Sequence, residues 1–242
     1  MPDKSAYFTL KSQDIDHYLW ELAKEYQKRA KRSPTVEIIL VGGAAAVLNY
    51  NFRQSTRDMD VLIQAGTSMR EAMNAVGDKC NLPNGWINSD FTETDSFTPQ
   101  IRQYSQYYKT FRGILDVYTV EGAFLLAMKL KAYRPYKYDR SDVIGILWEH
   151  EKRGKPLTLE EIQDAVVKLY GSYDALSKEA QTFLEESLRL GDYERRYQAL
   201  QQLEADNKNI LLQFQETYPG EMNHDNVNDI LASIREKRRK EE

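Results

Sequence analysis

Residues 36–63 read VEIILVGGAAAVLNYNFRQSTRDMDVLI, and this stretch decides the fold. It opens with a short apolar run of the kind that forms a buried strand, and the run ends in Gly42 and Gly43, which favour a tight turn. Residues 44–52 then predict a helix, and MDVLI at 59–63 predicts a second strand. The order strand, turn, helix, strand predicts an α/β unit.

Helical patterns flank this unit on both sides. Residues 12–32 place apolar side chains at helical spacing, and Ser33-Pro34 breaks the pattern. Residues 68–80 predict another helix, for which Ser68 is a suitable N-cap. The unit is therefore expected to have helices packed against its strands.

The rest of the chain predicts an irregular part, one more strand and a series of helices. Residues 81–100 carry no regular pattern, residues 101–111 are ambiguous, and GILDVYTV at 113–120 predicts a strand. Helical patterns follow at 121–134, 141–154, 158–171, 177–191, 193–214 and 226–242. We therefore expect an α/β (α+β) protein, in which a small mixed sheet with flanking helices (1–153) precedes an all-helical C-terminal region (154–242).

Composition is that of an ordinary globular protein of 242 residues, with 41% hydrophobic and 29% charged residues. The sequence has no apolar run long enough to cross a membrane and no apolar segment of a secretory signal at the N-terminus. Cys80 is the only cysteine, which disfavours disulfides and, with only three histidines, a structural zinc site. We expect a cytoplasmic protein, and the net charge of −4 excludes a globally basic nucleic-acid binder.

Positive charge is nevertheless concentrated between residues 101 and 140. Eight Lys or Arg residues stand there against three acids, Asp116, Glu121 and Asp139. The basic residues are Arg102, Lys109, Arg112, Lys129, Lys131, Arg134, Lys137 and Arg140. The pattern indicates either one site for an anionic ligand or a solvated face.

The Gly42-Gly43 turn suits a phosphate site. Glycine lets the backbone turn sharply and lets a ligand approach closely. A helix that begins there would point free N–H groups and the positive end of its dipole at an anion. An ordinary tight turn is the alternative.

Asp58 and Asp60 stand two residues apart at the start of the second strand. Side chains at i and i+2 lie on one face of a strand, so both carboxylates would point the same way. Two adjacent negative charges repel each other unless a cation compensates them, and oxygen ligands suit magnesium. The alternative is a polar strand start in a loop.

Asp116 interrupts the apolar strand Ile114-Leu115-Asp116-Val117-Tyr118. If this strand lies beside the one that carries Asp60, three carboxylates converge. Three acids can hold one or two metal ions against a triphosphate, and Asp116 could also accept the proton of an attacking hydroxyl. The alternative is an edge-strand acid in solvent.

The order of these features resembles the nucleotidyltransferase superfamily, whose relatives include polymerase β and the aminoglycoside nucleotidyltransferases. Its pattern is a Gly-Gly or Gly-Ser turn, a helix, D-x-D or D-x-E on a strand, and a third acid on a neighbouring strand. Much of the superfamily has Ser where this chain has Gly43. The resemblance implies that Asp58, Asp60 and Asp116 bind Mg²⁺ and act in catalysis on a nucleoside triphosphate.

Two segments look like the bacterial toxin-type nucleotidyltransferases of the AbiE and MenT group. RQSTRDMDVLI (53–63) is similar to that branch's R-x-S/T-x-D-x-D segment with apolar residues after it. LLAMKLKAYRPYKYDRSDVIGIL (125–147) is similar to its helical K-L-x-A-x-x-R followed by D-x-x-D. Those positions are here Lys129, Leu130, Ala132, Arg134 (one residue early), Asp139 and Asp142. The resemblance covers residues 36–148.

The resemblance also implies roles at single positions. The nucleotide-binding positions are Gly42, Gly43, Arg57, Lys129, Arg134, Asp139 and Asp142. Lys129 would reach the phosphates and take part in catalysis. Asp139 and Asp142 would position Lys129 and Arg134 or the incoming substrate. The alternatives are a lysine that extends from a buried helix face to solvent and an aspartate that caps a helix.

The function that the resemblance implies is Mg²⁺-dependent transfer of a nucleoside monophosphate from a triphosphate to an acceptor hydroxyl, on a tRNA 3′ end or a protein. Such an enzyme would act as the toxin of a toxin–antitoxin or phage-defence system, with a cognate antitoxin as partner. Two alternatives stay open. One is an antitoxin-type nucleotidyltransferase that modifies a partner toxin, and the other is a non-catalytic nucleotide- or protein-binding module of the same fold.

Overall fold

The computed structural model describes residues 8–30, 35–64, 66–223 and 226–241. Its centre is a five-stranded mixed sheet, in which β1 (Val36–Leu40), β2 (Met59–Ile63), β3 (Ile87–Asn88), β4 (Ser105–Phe111) and β5 (Leu115–Val120) take the order β3-β2-β1-β5-β4. The middle strand β1 is antiparallel to β2 and parallel to β5. At the edges β3 is parallel to β2, and β4 is antiparallel to β5. The expected mixed sheet is confirmed.

Nine α-helices surround and follow the sheet within the described ranges. They are α1 (Ser12–Arg29), α2 (Gly42–Asn49), α3 (Thr67–Cys80), α4 (Gly122–Ala132), α5 (Asp139–Lys152), α6 (Leu159–Tyr170), α7 (Lys178–Leu190), α8 (Tyr193–Thr217) and α9 (Val227–Glu241). The expected break at Ser33-Pro34 lies outside the described residues. None of the helices searched combines the length and the apolar character that crossing a bilayer requires.

Several predicted boundaries shift. Helix α2 begins at Gly42 and ends at Asn49, earlier at both ends than expected. Helix α3 has Gly66 at its N-cap position without a side-chain hydrogen bond, so the prediction that Ser68 caps it is wrong. The ambiguous residues 101–111 supply β4, and the irregular region contains β3.

Both faces of the sheet are covered, which explains why β1 is apolar rather than alternating. Ile38 and Leu40 pack into a core with helices α1 and α3. Ile39 and Val41 point the other way, into a core with α4, α5 and the helices that follow. The site described below lies where the end of β1 meets these layers.

The C-terminal helices share the second of these cores. Ile162 of α6, Leu184 of α7 and Tyr197 of α8 belong to the same buried cluster as Leu125 of α4. The division into 1–153 and 154–242 stays a prediction, but apolar packing is continuous across it.

Candidate active site

One cavity of about 360 Å³ collects most of the side chains that the sequence singled out. Its wall includes Gly42, Gly43, Arg57, Asp58, Asp60, Lys129, Arg134 and Asp139. Asp142 lies directly behind this wall, in contact with Lys129. Asp116 is not part of the wall.

The turn from β1 into α2 forms the floor of the cavity. Val41 donates its backbone N–H to the carbonyl of Asp60 at 3.0 Å, which joins the end of β1 to β2. Gly42 follows with φ +57°, a conformation that L side chains rarely adopt. A Cβ at Gly42 would lie 3.1 Å from Asp60 Oδ2, so the carboxylate lies close against the turn and leaves little room for a side chain. The first N–H groups of α2 have no acceptor within the helix and border the cavity.

Gly43 is required for a different reason. A Cβ there would lie 2.3 Å from Thr56 Oγ1 and 2.9 Å from Arg53 Nη2. Thr56 and Arg53 both line the cavity, and the Thr56 hydroxyl occupies the space of a side chain at position 43. The chain therefore has Gly where much of the superfamily has Ser, while a hydroxyl group still lies beside the turn.

Asp58 and Asp60 face the cavity as the strand pattern predicted for a pair two residues apart. Strand β2 begins between them at Met59, and Met59 and Val61 are fully buried on the opposite face. Burial and the negative charge of Asp58 raise the pKa of Asp60 to about 6. The positive charges of Lys129, Lys137 and Arg134 act in the opposite direction but do not cancel these effects. The nearby cations therefore do not fully compensate the negative charge of the Asp58–Asp60 pair.

The acid pair fits magnesium that shares its coordination with a ligand. Among the described residues, no group of three or more His, Cys, Asp or Glu side chains is arranged to hold a metal ion by itself. Mg²⁺ commonly takes one or two carboxylates and completes its shell with substrate phosphates and water. Asp58 and Asp60 offer that donor set, next to a helix N-terminus suited to phosphate.

Asp116 does not join them, because β1 separates its strand from β2. In the register of the sheet Asp116 pairs with Glu37, whereas Asp60 is bonded to Val41. Four residues along a strand span roughly 13 Å, and the two strand spacings add about 10 Å across the sheet. Asp116 instead accepts a hydrogen bond from Thr110 of β4. The condition for three converging carboxylates is therefore not met.

On the side away from β1, β2 is flanked by β3, a strand that the sequence pattern did not reveal. Asn88 pairs with Asp60, so the two side chains share a face. Asn88 Oδ1 accepts the backbone N–H of Asp90 at 2.9 Å, and both residues line the cavity. Asp90 therefore adds a carboxylate to the wall that carries Asp58 and Asp60.

Lys129 projects from α4 into a buried charge network. Its Nζ lies 3.1 Å from Asp139 Oδ1 and 2.7 Å from Asp142 Oδ2. Asp139 also accepts from Arg134 Nε at 2.8 Å, and Asp142 pairs with Arg53. The two acids at the start of α5 thus hold three cations against the cavity.

Charge is maintained within this network despite burial. Burial alone would raise the pKa of Asp139, but Lys129 and Arg134 lower it below its usual value. Burial likewise opposes the charge of Lys129, and the carboxylates of Asp142 and Asp139 raise its pKa. The lysine is therefore a fixed ammonium group at the cavity wall.

The basic stretch between residues 101 and 140 does not form a single site. Only Lys129, Arg134 and Lys137 of its eight cations line the cavity. The others point elsewhere: Arg102 pairs with Glu37, Lys109 with Asp16, Arg112 donates to Gln27, Lys131 donates to the Ala175 carbonyl, and Arg140 lies over the Tyr133 ring. Three of the eight cations therefore lie together at the cavity, and the interpretation of these three as an anion site stays a prediction.

Some residues that line the cavity were not predicted from the sequence to belong to the site. Arg53 and Thr56 stand in the segment RQSTRDMDVLI, but no role was assigned to them. Asn88 and Asp90 belong to a region without a regular pattern. Lys208 of α8 also lines the cavity, and no motif marked it.

Comparison with known families places most of the chain in one family. Residues 13–147, more than half of the chain, match the model of a family described as "Nucleotidyltransferase of unknown function (DUF6036)". No curated protein and no solved structure matches the chain. The matched range contains the β1–α2 turn, Asp58, Asp60 and the network around Lys129. The chain therefore belongs to this family of nucleotidyltransferases of unknown function.

Proposed function

We propose that the protein transfers a nucleoside monophosphate from a nucleoside triphosphate to an acceptor hydroxyl, with Mg²⁺ held by Asp58 and Asp60. The observation that carries the proposal is the meeting of an acid pair with a helix N-terminus in one cavity. Family membership supports the reaction class.

Different groups of the chain have different roles in the proposed reaction. The first N–H groups of α2, at Gly42 and Gly43, and the Thr56 hydroxyl bind phosphate oxygens. Lys129 and Arg134, held by Asp139, stabilise the negative charge that develops on the triphosphate. When bound, Mg²⁺ supplies a positive charge that polarises the phosphoryl oxygens.

In the reaction, the acceptor oxygen forms a bond to the α-phosphorus while the bond from that phosphorus to the bridging oxygen of pyrophosphate breaks. Pyrophosphate leaves with the electron pair, and the acceptor proton passes to a carboxylate. We assign this role to Asp90, because Asp58 and Asp60 hold Mg²⁺ and Asp139 is occupied by Lys129 and Arg134. The sequence-based prediction gave this role to Asp116, which lies away from the cavity.

For the acceptor we propose a tRNA 3′ end, with a protein hydroxyl as the second candidate. The exposed cations Arg57 and Lys137 at the cavity favour a polyanion. The similarity of residues 53–63 and 125–147 to the AbiE and MenT group supports a toxin of a toxin–antitoxin or phage-defence system, with an antitoxin as partner.

The test is a transfer assay with each α-labelled triphosphate, Mg²⁺, total bacterial tRNA and total bacterial protein. We expect label on tRNA with the wild type and with Asp116→Asn, and none with Asp60→Asn. Label on a protein band instead would identify a protein as the acceptor, as expected for an enzyme that modifies a partner. No label on either, with intact triphosphate binding, would contradict the proposal and favour a non-catalytic module.

Asp90→Asn tests the proton acceptor in the same assay. We expect a drop in transfer rate of about 10²-fold or more at neutral pH with little change in triphosphate affinity. Asp95→Asn, a nearby exposed acid that does not line the cavity, is the matched control. An Asp90→Asn enzyme as fast as this control would remove Asp90 from the mechanism.

A further inference from the structure

Helix α8 places Lys208 at the cavity although it lies far along the chain from the other lining residues. The family match ends at residue 147, and Lys208 is the cavity-lining residue beyond that limit among those that the structure describes. The C-terminal helical region therefore contributes a side chain to the wall of the candidate active site.

The position of Lys208 is set by several contacts of α8 with the catalytic part of the chain. Asn207 Nδ2, on the adjacent residue, donates to the Pro135 carbonyl at 2.6 Å. One turn earlier, Glu204 accepts the backbone N–H of Arg140 at the start of α5 at 2.9 Å. Two turns before that, Tyr197 donates its hydroxyl to the Phe52 carbonyl at 2.9 Å. These hydrogen bonds attach α8 to the segment between α4 and α5, to the start of α5 and to the residue before Arg53.

Two other cations line the cavity together with Lys208. Arg57, Lys137 and Lys208 all line the cavity, and none of them has an ion pair with a described residue. Burial and the positive charges of Arg57 and Lys137 lower the pKa of Lys208 to about 8, while Asp58 acts in the opposite direction. Three cations without fixed counterions contrast with the neighbouring Lys129, which has two carboxylate partners.

We propose that Arg57, Lys137 and Lys208 form a phosphate-binding rim, and that the C-terminal region is thereby an obligatory part of the active site. This inference rests on the proposed function. A bound phosphate would give these three cations the direct ion-pair partner that the described residues do not supply. The phosphate is either part of the triphosphate or a phosphodiester of a nucleic-acid acceptor, and the chemistry of the rim is the same for both.

Calorimetric titration of the full-length protein tests the rim with two probes, inorganic tripolyphosphate in the presence of Mg²⁺ and a short single-stranded RNA. The variants are Lys208→Met, Lys208→Arg and Lys178→Met. Lys178 is a matched control because it lies in the C-terminal region with 78% of its side chain exposed and does not line the cavity. Thermal unfolding of each variant checks that the fold is retained.

We expect Lys208→Met to weaken binding of one probe about tenfold or more, as the loss of a charge-assisted contact would, while Lys208→Arg and Lys178→Met bind like the wild type. Weaker tripolyphosphate binding would identify the triphosphate as the source of the phosphate, and weaker RNA binding alone would identify the acceptor. Unchanged affinity of Lys208→Met for both probes would overturn the inference. It would leave the proposed function intact if Asp60→Asn still abolished transfer.

Discussion

At the scale of single residues, the sharpest prediction concerns Gly43 and Thr56, because a side chain at position 43 would need the space that the Thr56 hydroxyl occupies. We expect Gly43→Ser to lower the free energy of unfolding by about 1–3 kcal/mol, since its Cβ would overlap the Thr56 hydroxyl. The same change in a Thr56→Ala background should cost less, because the closest of the contacts, with Thr56 Oγ1, is removed. Urea unfolding of both single variants and of the double variant measures the coupling. Additive costs would show that the two positions do not compete.

Asp139 is expected to be essential for folding stability as well as for positioning Lys129. It is fully buried and binds Lys129 and Arg134, so Asp139→Asn leaves buried cations without their carboxylate. We expect a loss of about 3–5 kcal/mol in the free energy of unfolding.

Asp174→Asn serves as the control for that change. Asp174 pairs with Lys178 at the surface, with 79% of its side chain exposed, so its loss should cost less than about 1 kcal/mol. Equal costs for the two variants in urea unfolding would contradict the buried network.

At the scale of residues, the sequence predicted which residue types lie at the cavity better than it predicted where each single residue lies. Asp58, Asp60, Gly42 and Lys129 lie at one cavity, because each stands in a local pattern that already orders strand, turn and helix. Asp116 was misplaced because its neighbours depend on which strands pair, and strand pairing is a non-local property.

At the scale of elements, the contact of α5 with residue Phe52 positions the charge network. A Cβ at Gly145 would lie 2.4 Å from the Phe52 ring, and Arg53 next to it pairs with Asp142 one turn earlier on α5. Helix propensity alone predicts that Gly145→Ala stabilises the protein by about 1 kcal/mol. We expect the opposite sign, a loss of about 1–3 kcal/mol, because the ring cannot remain where it is.

Gly77→Ala in α3 is the matched comparison for Gly145→Ala. Its nearest contact would be Trp86 Nε1 at 3.3 Å, which a small shift relieves. Thermal unfolding should therefore rank Gly145→Ala well below Gly77→Ala. If both variants gain stability, the close packing of α5 on Phe52 is wrong.

The elements themselves were predictable where periodicity was strong. Strands β1, β2 and β5 and the helices from α4 onward appear close to their expected bounds. The two-residue strand β3 was not, because two residues carry no alternation and the strand exists through its pairing with β2. For the same reason Asn88 and Asp90 could not be assigned to the site from sequence.

At the scale of the whole molecule, Glu204 links the C-terminal helices to the catalytic part in a pH-dependent manner. Burial raises its pKa to about 7, while the N–H groups of Arg140 and Ser141 act against this shift. A carboxyl group that binds its proton more tightly in the folded state stabilises the fold fully at acidic pH. That contribution is lost as pH rises from about 4.5 to about 7.

Glu204→Gln removes this dependence and still accepts hydrogen bonds from α5. We expect the variant to match the wild type near pH 5 and to be more stable near pH 8, by up to about 3 kcal/mol. Urea unfolding of both proteins at the two pH values measures this. A stability difference that is the same at pH 5 and pH 8 would contradict the assignment.

Lys208 and Glu204 together explain what the C-terminal region contributes, which the sequence did not show. Both lie on one face of α8, four residues apart, and neither belongs to a recognisable motif. Their role follows from the packing of α8 on α5, and that packing was not visible in local patterns.

The central claim is that the Asp58–Asp60 cavity binds a magnesium–triphosphate complex, and triphosphate affinity with and without Mg²⁺ tests it most directly. The measurement compares the wild type with Asp60→Asn, together with the free energy of unfolding of each. We predict Mg²⁺-dependent binding in the wild type and none in Asp60→Asn. The variant should be more stable near pH 7.5 by about 1–3 kcal/mol, because a buried carboxylate with a raised pKa has been removed. Mg²⁺-dependent binding of equal strength in both proteins would contradict the claim.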